Sequence, residues 1–328
     1  MCILPGKDVM DTKQIEYILK IAEENNITKA ADKLYITQSA LNQQLLKLEK
    51  ELGTPLFHRS RTNWRPTEAG KVYLRNARQI LRLKKDTYNQ INDIAATKRG
   101  RLSIGFTPGR GINMFTSIYP VFRQKYPDIV VEPVEKNVHE LQKMIEDDNL
   151  DIAFLTLRQE DHTNDEYNLL VEEEILLAIP AGHPLGAHAA PKGEPLAVMD
   201  IKNLRYEPFV LLEKDSTMRA LANDIFKRAG FAPNILFETH NNNTIIYMVQ
   251  TNLCCGLVPS YYMRETNDIA FFHMPDHPSW HVAASYKRNS YLSKPARLFI
   301  QMVKEHWNNN PFDRPNRIHL ADIDLPVR

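Results

Sequence analysis

The sequence predicts an α+β multidomain chain built from a small helical head, one long helix and a larger α/β body. Three observations carry that reading. Short capped amphipathic segments fill residues 10–66, and a proline-free stretch with apolar residues at alternating steps of three and four follows over 67–98. Strand-like runs then alternate with helix-like runs over 99–308.

Composition sets the bounds. A chain of 328 residues, 43% hydrophobic and 25% charged, is long enough for two or three globular domains. No apolar run reaches transmembrane length, so no membrane partner is expected. Residues 1–9, MCILPGKDV, are too short and lack the basic start of a signal peptide; they read as a disordered extension ahead of a second possible start at Met10. Three cysteines, two of them adjacent at Cys254 and Cys255, make no disulfide framework and point to a reducing, cytoplasmic setting. Residues 1–98 carry 17 Lys and Arg against 11 Asp and Glu, whereas the remainder carries 24 against 29. A basic front on an acidic body suits a head that binds a polyanion.

The head justifies itself element by element. Ala30 and Ala31 are small enough for a second helix to cross close above them, Leu34 points inward, and Tyr35 to Thr37 make a turn. Thr37 is a good N-cap for the next helix. There Leu41, Leu45, Leu48 and Leu52 fall at steps of four, three and four, which predicts one buried stripe. Gln38, Ser39, Asn42, Gln43 and Lys47 fall on the opposite face, as a helix that reads base edges requires. Gly53 suits a left-handed C-cap. Next comes HRSRTNWRP, in which Arg59, Arg61 and Arg65 surround a tight turn at Thr62 and Asn63; turn residues flanked by arginines read as a β-wing against the DNA backbone or minor groove. Helix-turn-helix plus basic wing is a winged-helix DNA reader, whose partner is double-stranded DNA.

From Thr67, a second N-cap, Leu74, Ala77, Leu81, Tyr88 and Ile91 fit a heptad seam, interrupted by Lys84. Roughly thirty residues of helix would span about 45 Å, and the seam is expected to pair with a second copy of the chain.

Lys13 to about Gly70 resembles the DNA-binding domain of LysR-type transcriptional regulators. The likeness rests on Ala30-Ala31 with Leu34, Gln38-Ser39-Ala40-Leu41, Leu48-Glu49, Leu52-Gly53, Leu56-Phe57 with Arg59, and Thr67 with Ala69-Gly70. Asn42 stands where the family usually has Ser, and Pro66 replaces an aliphatic residue before Thr67. The resemblance implies a dimerising linker helix, a homodimer or homotetramer, and a two-lobed body like periplasmic solute-binding proteins. It places the chain crossings between lobes near Leu170 and Phe271, so that one lobe takes residues 101–169 and 271–308 and the other 170–270. Promoter binding would then be modulated by a small-molecule effector between the lobes. Residues 309–328 run past the family's usual end as a tail.

The body's pattern agrees. Strands are predicted at Leu102–Phe106, Ile129–Val134, Ile152–Leu155, Ile175–Ile179, Phe209–Leu212 and Ile235–Glu238, with helices such as Ile112–Lys125 and Met218–Ala229 between them. That alternation predicts a parallel sheet covered on both faces. Ligands in such sheets sit beyond the strands' carboxyl ends. Those positions hold Thr107, Gly109 and Arg110, then Lys136, Asn137 and Val138, then Ser216, Thr217 and Thr239. Hydroxyls and free amides there, with Arg110 or Lys136 as charge partners and Asp215 as the one nearby carboxylate, favour a small carboxylate or similar anion.

Other features point elsewhere. His273, His277 and His281 are spaced as on a metal-binding helix, but Pro275 and Pro278 between them break any helix, so no metal site is expected. Cys254 and Cys255 read as packing residues in preference to a redox pair. Asn241 to Asn243 read as a loop and cap. No G-x-S-x-G, P-loop or dinucleotide fingerprint is present, and no cofactor is expected. An α/β enzyme fused to a DNA-binding head, or a DNA binder without a ligand, are the alternatives.

Overall fold

The computed structural model describes residues 11–60, 63–96, 98–263 and 266–309. Contacts divide the chain between Ile91 and Asn92 into a head unit and a body unit. Arg61, the extension over residues 1–9 and all but the first residue of the predicted 309–328 tail lie outside the described residues.

The head opens with α1 (Thr12–Glu24), α2 (Ile27–Lys33) and α3 (Gln38–Leu52). Each starts on a side-chain cap: Asp11, Asn26 and Thr37 accept first-turn amides, which have no partner within the helix. Gly53 closes α3 in the left-handed region at φ 70°. Ile15, Ile18, Ala30, Ala31, Leu41, Leu45 and Leu48 meet in one core with Phe57 and Trp64. Leu52 departs from its predicted stripe and is 43% exposed, because the last turn of α3 runs beyond the core. The wing is β1 (Phe57–His58) paired antiparallel with β2 (Arg65–Pro66).

Next comes α4 (Glu68–Ile94), whose entry requires Gly70: a Cβ there would lie 2.0 Å from the Leu56 carbonyl oxygen. The predicted pairing seam needs correction over its first half, whereas Tyr88 and Ile91 of that seam are exposed. Leu74 and Ala77 are buried in the head's own core and Leu81 packs on its edge, so these residues hold α4 to the head. At about 100° per residue, Val72, Ile80, Leu83, Ile91 and Ile94 form a second stripe on the other side, and all five are exposed. Heptad counting finds an apolar stripe but does not distinguish the face packed on its own chain from the face left open.

The body comprises β3 (Arg99–Phe106), α5 (Arg110–Lys125), β4 (Asp128–Glu135), α6 (Val138–Glu146), β5 (Ile152–Leu157) and β6 (Glu166–Pro180). It continues through β7 (Pro208–Leu212), α7 (Thr217–Ala229), β8 (Asn234–Thr239), α8 (Asn242–Gln250), β9 (Cys255–Pro259), β10 (Ile269–Phe272), β11 (Ser279–Tyr286) and α9 (Lys294–Asn309). All six predicted strands lie within observed ones. The expected parallel pairing holds within each half but not across the whole sheet: the order is β4-β3-β5-β11-β6-β9-β7-β8, with β10 beside β6. β3 is parallel to β4 and β5, and β7 to β8 and β9, whereas β6, β10 and β11 run antiparallel to their partners. The sequence conceals the length of β6 because Glu172, Glu173 and Glu174 interrupt its apolar run.

The body therefore has two parallel halves bridged by antiparallel strands. β6 pairs with β11 through Glu174 and with β9 and β10 from Ile175 onward. It passes between the halves there, a few residues beyond Leu170, and the chain returns over residues 273–278 between β10 and β11. Each half has its own core. Phe106, Phe122, Phe154, Phe299 and Trp307 lie in one, and Phe209, Phe226, Leu257 and Phe272 in the other.

Candidate nucleic-acid interface and effector cleft

On the outer face of α3, Ser39, Gln43 and Lys47 are exposed and Asn42 is half-buried. Gln38 is partly committed, since its side-chain oxygen accepts the Thr28 hydroxyl at 3.0 Å. The Thr37 hydroxyl accepts the Ala40 amide at 3.2 Å and lies 3.1 Å from the Ser39 hydroxyl. Asn42 and Gln43 make no side-chain hydrogen bond among the described residues, so their amide groups remain available to a partner. Arg59 behaves otherwise than expected. Its guanidinium is bound to the buried Glu49 carboxylate, which also accepts the Leu56 amide at 2.8 Å, and it lies 5.8 Å from the Trp64 ring centre. Arg59 is thus a strut from wing to α3, while Arg65 stands exposed on β2. Tyr35, which the sequence places only in the turn, is 95% exposed with φ 55° just ahead of α3. Its aromatic character beside a capping Thr is the only advance signal.

Within the body, a cavity of about 160 Å³ is lined by Thr107, Asn137, Val138, Thr156, Ser216, Thr217, Thr239 and Asn242, among others. Six of the nine predicted effector residues are brought together there. Gly109, Arg110 and Lys136 are not. Gly109 precedes α5 in the left-handed region at φ 75°. Lys136 points outward to Glu140 at 3.2 Å. Arg110 is buried and bound to the Glu173 carboxylate, its guanidinium stacked 4.6 Å from Tyr261 and 4.9 Å from Trp307. Glu173 also accepts the Trp280 indole at 2.7 Å and the Tyr261 amide at 2.9 Å. In the sequence, a cation at a strand end reads as a ligand partner; the fold uses it to neutralise a buried carboxylate on β6.

No Lys or Arg lines the cavity, so any attraction for an anion there rests on backbone. The N-terminal ends of α6, α7 and α8 all contribute residues to its wall. Each such end carries about +0.5 of a charge, and its first amides lack intrahelical partners. Asn137 caps α6 through the Glu140 amide at 2.9 Å, and Ser216 caps α7 through the Arg219 amide at 3.1 Å. The Ser216 hydroxyl also donates to the Glu213 carbonyl at 2.9 Å, so its proton is committed. Thr239 accepts the Asn241 amide at 3.2 Å. Thr107 differs, because its hydroxyl has no partner among the described residues. The Asn242 side chain hydrogen-bonds Tyr262, yet its Oδ1 is buried with no partner. Two carboxylates line the wall, not one: Asp215 is exposed to water, and Glu213 pairs with His240 at 2.8 Å.

Cys254 and Cys255 are buried on the β9 side, and burial pushes their thiols up to about 11 and about 12. Thiols held that far above neutral pH are poor nucleophiles, in keeping with packing. The three histidines form no helix, although His273 and His277 do come together on Glu174.

Two family models cover nearly the whole chain: the bacterial regulatory helix-turn-helix protein, lysR family, over residues 12–71, and the LysR substrate binding domain over residues 95–308. The chain belongs to the LysR family of transcriptional regulators. It is 30% identical to an uncharacterized HTH-type transcriptional regulator, YcgK of Bacillus subtilis, over 90% of this chain and 94% of the relative. It is 27% identical to the HTH-type regulator BsdA of the same species, over 89% and 100%. A full-length OxyR variant from Pseudomonas aeruginosa has the same fold at a TM-score of 0.65 and 20% identity, covering 90% of this chain and 97% of that one. This regulator therefore carries a helix-turn-helix DNA-binding domain and an effector-binding domain. No helix among the described residues is long and apolar enough to cross a membrane.

Proposed function

We propose that this regulator reads duplex promoter DNA with α3 and the wing, pairs with a second copy along the exposed stripe of α4, and responds to a small anion in the body's cleft. Base readout falls to Gln38, Ser39, Asn42 and Gln43, with Arg65, Lys47 and Tyr35 against the backbone. The observation that carries the effector reading is the convergence of three helix N-termini on one cavity. The first-turn amides left over by the side-chain caps, together with the helix dipoles, suit a carboxylate. At about 160 Å³ the cavity is below the size typical of drug-like sites, so the effector has only a few carbon atoms.

The test is DNA binding by the full chain to its own promoter region, with and without lactate, alanine, acetate or lactamide. A ligand that changes the affinity or the footprint length by acting on the body supports the reading. No response to any small acid at saturating concentration, with the DNA complex intact, argues for a ligand-independent binder.

A further inference from the structure

Where the chain passes between the halves of the body, three metal-competent side chains meet. Glu174 ends the part of β6 paired with β11, and its Oε1 lies 2.8 Å from His273 Nδ1 and 2.9 Å from His277 Nδ1. The donor atoms all fall within 4.8 Å of one another. His273 directly follows β10, and the return segment turns at His277, which adopts φ 42°, a left-handed conformation costly for a residue with a Cβ. That turn sets the two rings 5.1 Å apart on the same carboxylate oxygen. Glu174 has no Lys or Arg partner among the described residues, and Glu172, Glu173 and Asp276 add negative charge nearby. Arg110 is bound to Glu173, and Lys202 and Arg228 line the pocket beside Asp276 without an ion pair to Glu174 among the described residues.

We propose that Glu174, His273 and His277 form a divalent-cation site of zinc chemistry that staples the outgoing and returning crossings between the halves. Two imidazoles and one carboxylate are common zinc donors, and a tetrahedral ion needs donors somewhat over 3 Å apart at bond lengths of about 2.0–2.2 Å. The observed separations approach this with small rotations of the rings. Each neutral imidazole would carry its proton on Nε2 and present Nδ1 to the metal. His277 is exposed, which leaves a path for the ion and room for a water as fourth ligand. A metal held there joins β6 to the segment leading into β11, so its occupancy acts on the crossing between the halves and not on the cleft wall.

The test is titration of chelator-stripped full-length protein with zinc sulfate, with cobalt as a spectroscopic stand-in. The expected result is one saturable zinc per chain, a rise in the thermal midpoint, and a visible cobalt spectrum that zinc displaces. His277→Gln and His273→Gln should each weaken zinc binding by at least about tenfold while leaving the metal-free midpoint unchanged. His188→Gln, on an exposed histidine elsewhere, should bind as wild type does. Absence of saturable uptake, or uptake that both Gln variants retain, would overturn the site.

Discussion

The head and the body use polar side chains in opposite ways. On α3, Asn42 and Gln43 project from a helix whose stability rests on Leu41, Leu45 and Leu48 behind them, and folding asks nothing of their amides. In the cleft, Asn137, Ser216 and Thr239 line the wall and at the same time accept the backbone amides at Glu140, Arg219 and Asn241. A DNA-reading surface can thus vary its side chains without disturbing the fold. A pocket made of helix ends cannot, because its selectivity and its folding share the same atoms.

One substitution should damage the body severely and spare the head. Arg110→Ala leaves Glu173 buried without its cation, which should cost about 3–5 kcal/mol. Urea unfolding followed by hydrogen exchange should show the loss in body peptides, with head peptides protected as in wild type. Equal losses in both units would mean that the pair is not the body's own.

A second contrast lies within α4. Leu83 is 69% exposed on the stripe proposed for pairing, whereas Leu81 packs on the head's core. Leu83→Asp should remove about 1.5–3 kcal/mol of burial per chain from a dimer, giving folded monomers by light scattering. Leu81→Asp should lower the thermal stability of the head instead. Reversal of the two outcomes would restore the seam read from the heptad pattern.

The head is legible in the sequence because its signals are local: caps, a period of 3.6 and small residues at a crossing. Thr37 and Gly53 each announce their role from one residue and its neighbours. The body's parallel strands are legible for the same reason. What escapes a sequence reading is non-local. Arg110 and Arg59 read as hands held out to anions because nothing nearby in sequence announces Glu173 or Glu49 as partners. β11, with Trp280 and His281 among small residues, has no strong strand pattern and forms only because β5 and β6 flank it. His273 and His277 share no helix, as the prolines between them require, and meet through a turn that spacing alone does not reveal.

Smaller changes set head against cleft. Asn42→Ala should cost about 1–3 kcal/mol on the cognate site and little on random DNA, with an unchanged melting midpoint; electrophoretic mobility shifts on both DNAs measure it. Equal losses on the two would remove Asn42 from base readout. Ser216→Ala, by contrast, removes a helix cap and should cost about 1 kcal/mol of body stability before any ligand is added, as read by chemical denaturation.

Thr107 gives the cleanest separation of ligand contact from folding, because its hydroxyl lines the cleft without capping anything. The measurement is isothermal titration of wild type and Thr107→Val with the small acid that alters DNA binding, and with its neutral amide. The acid should bind, and the amide should bind much more weakly. Thr107→Val should lose roughly 1.5–3 kcal/mol in affinity for the acid with no change in stability. Equal binding of acid and amide, or an affinity that Thr107→Val leaves untouched, would contradict an anion held by helix ends in this cleft.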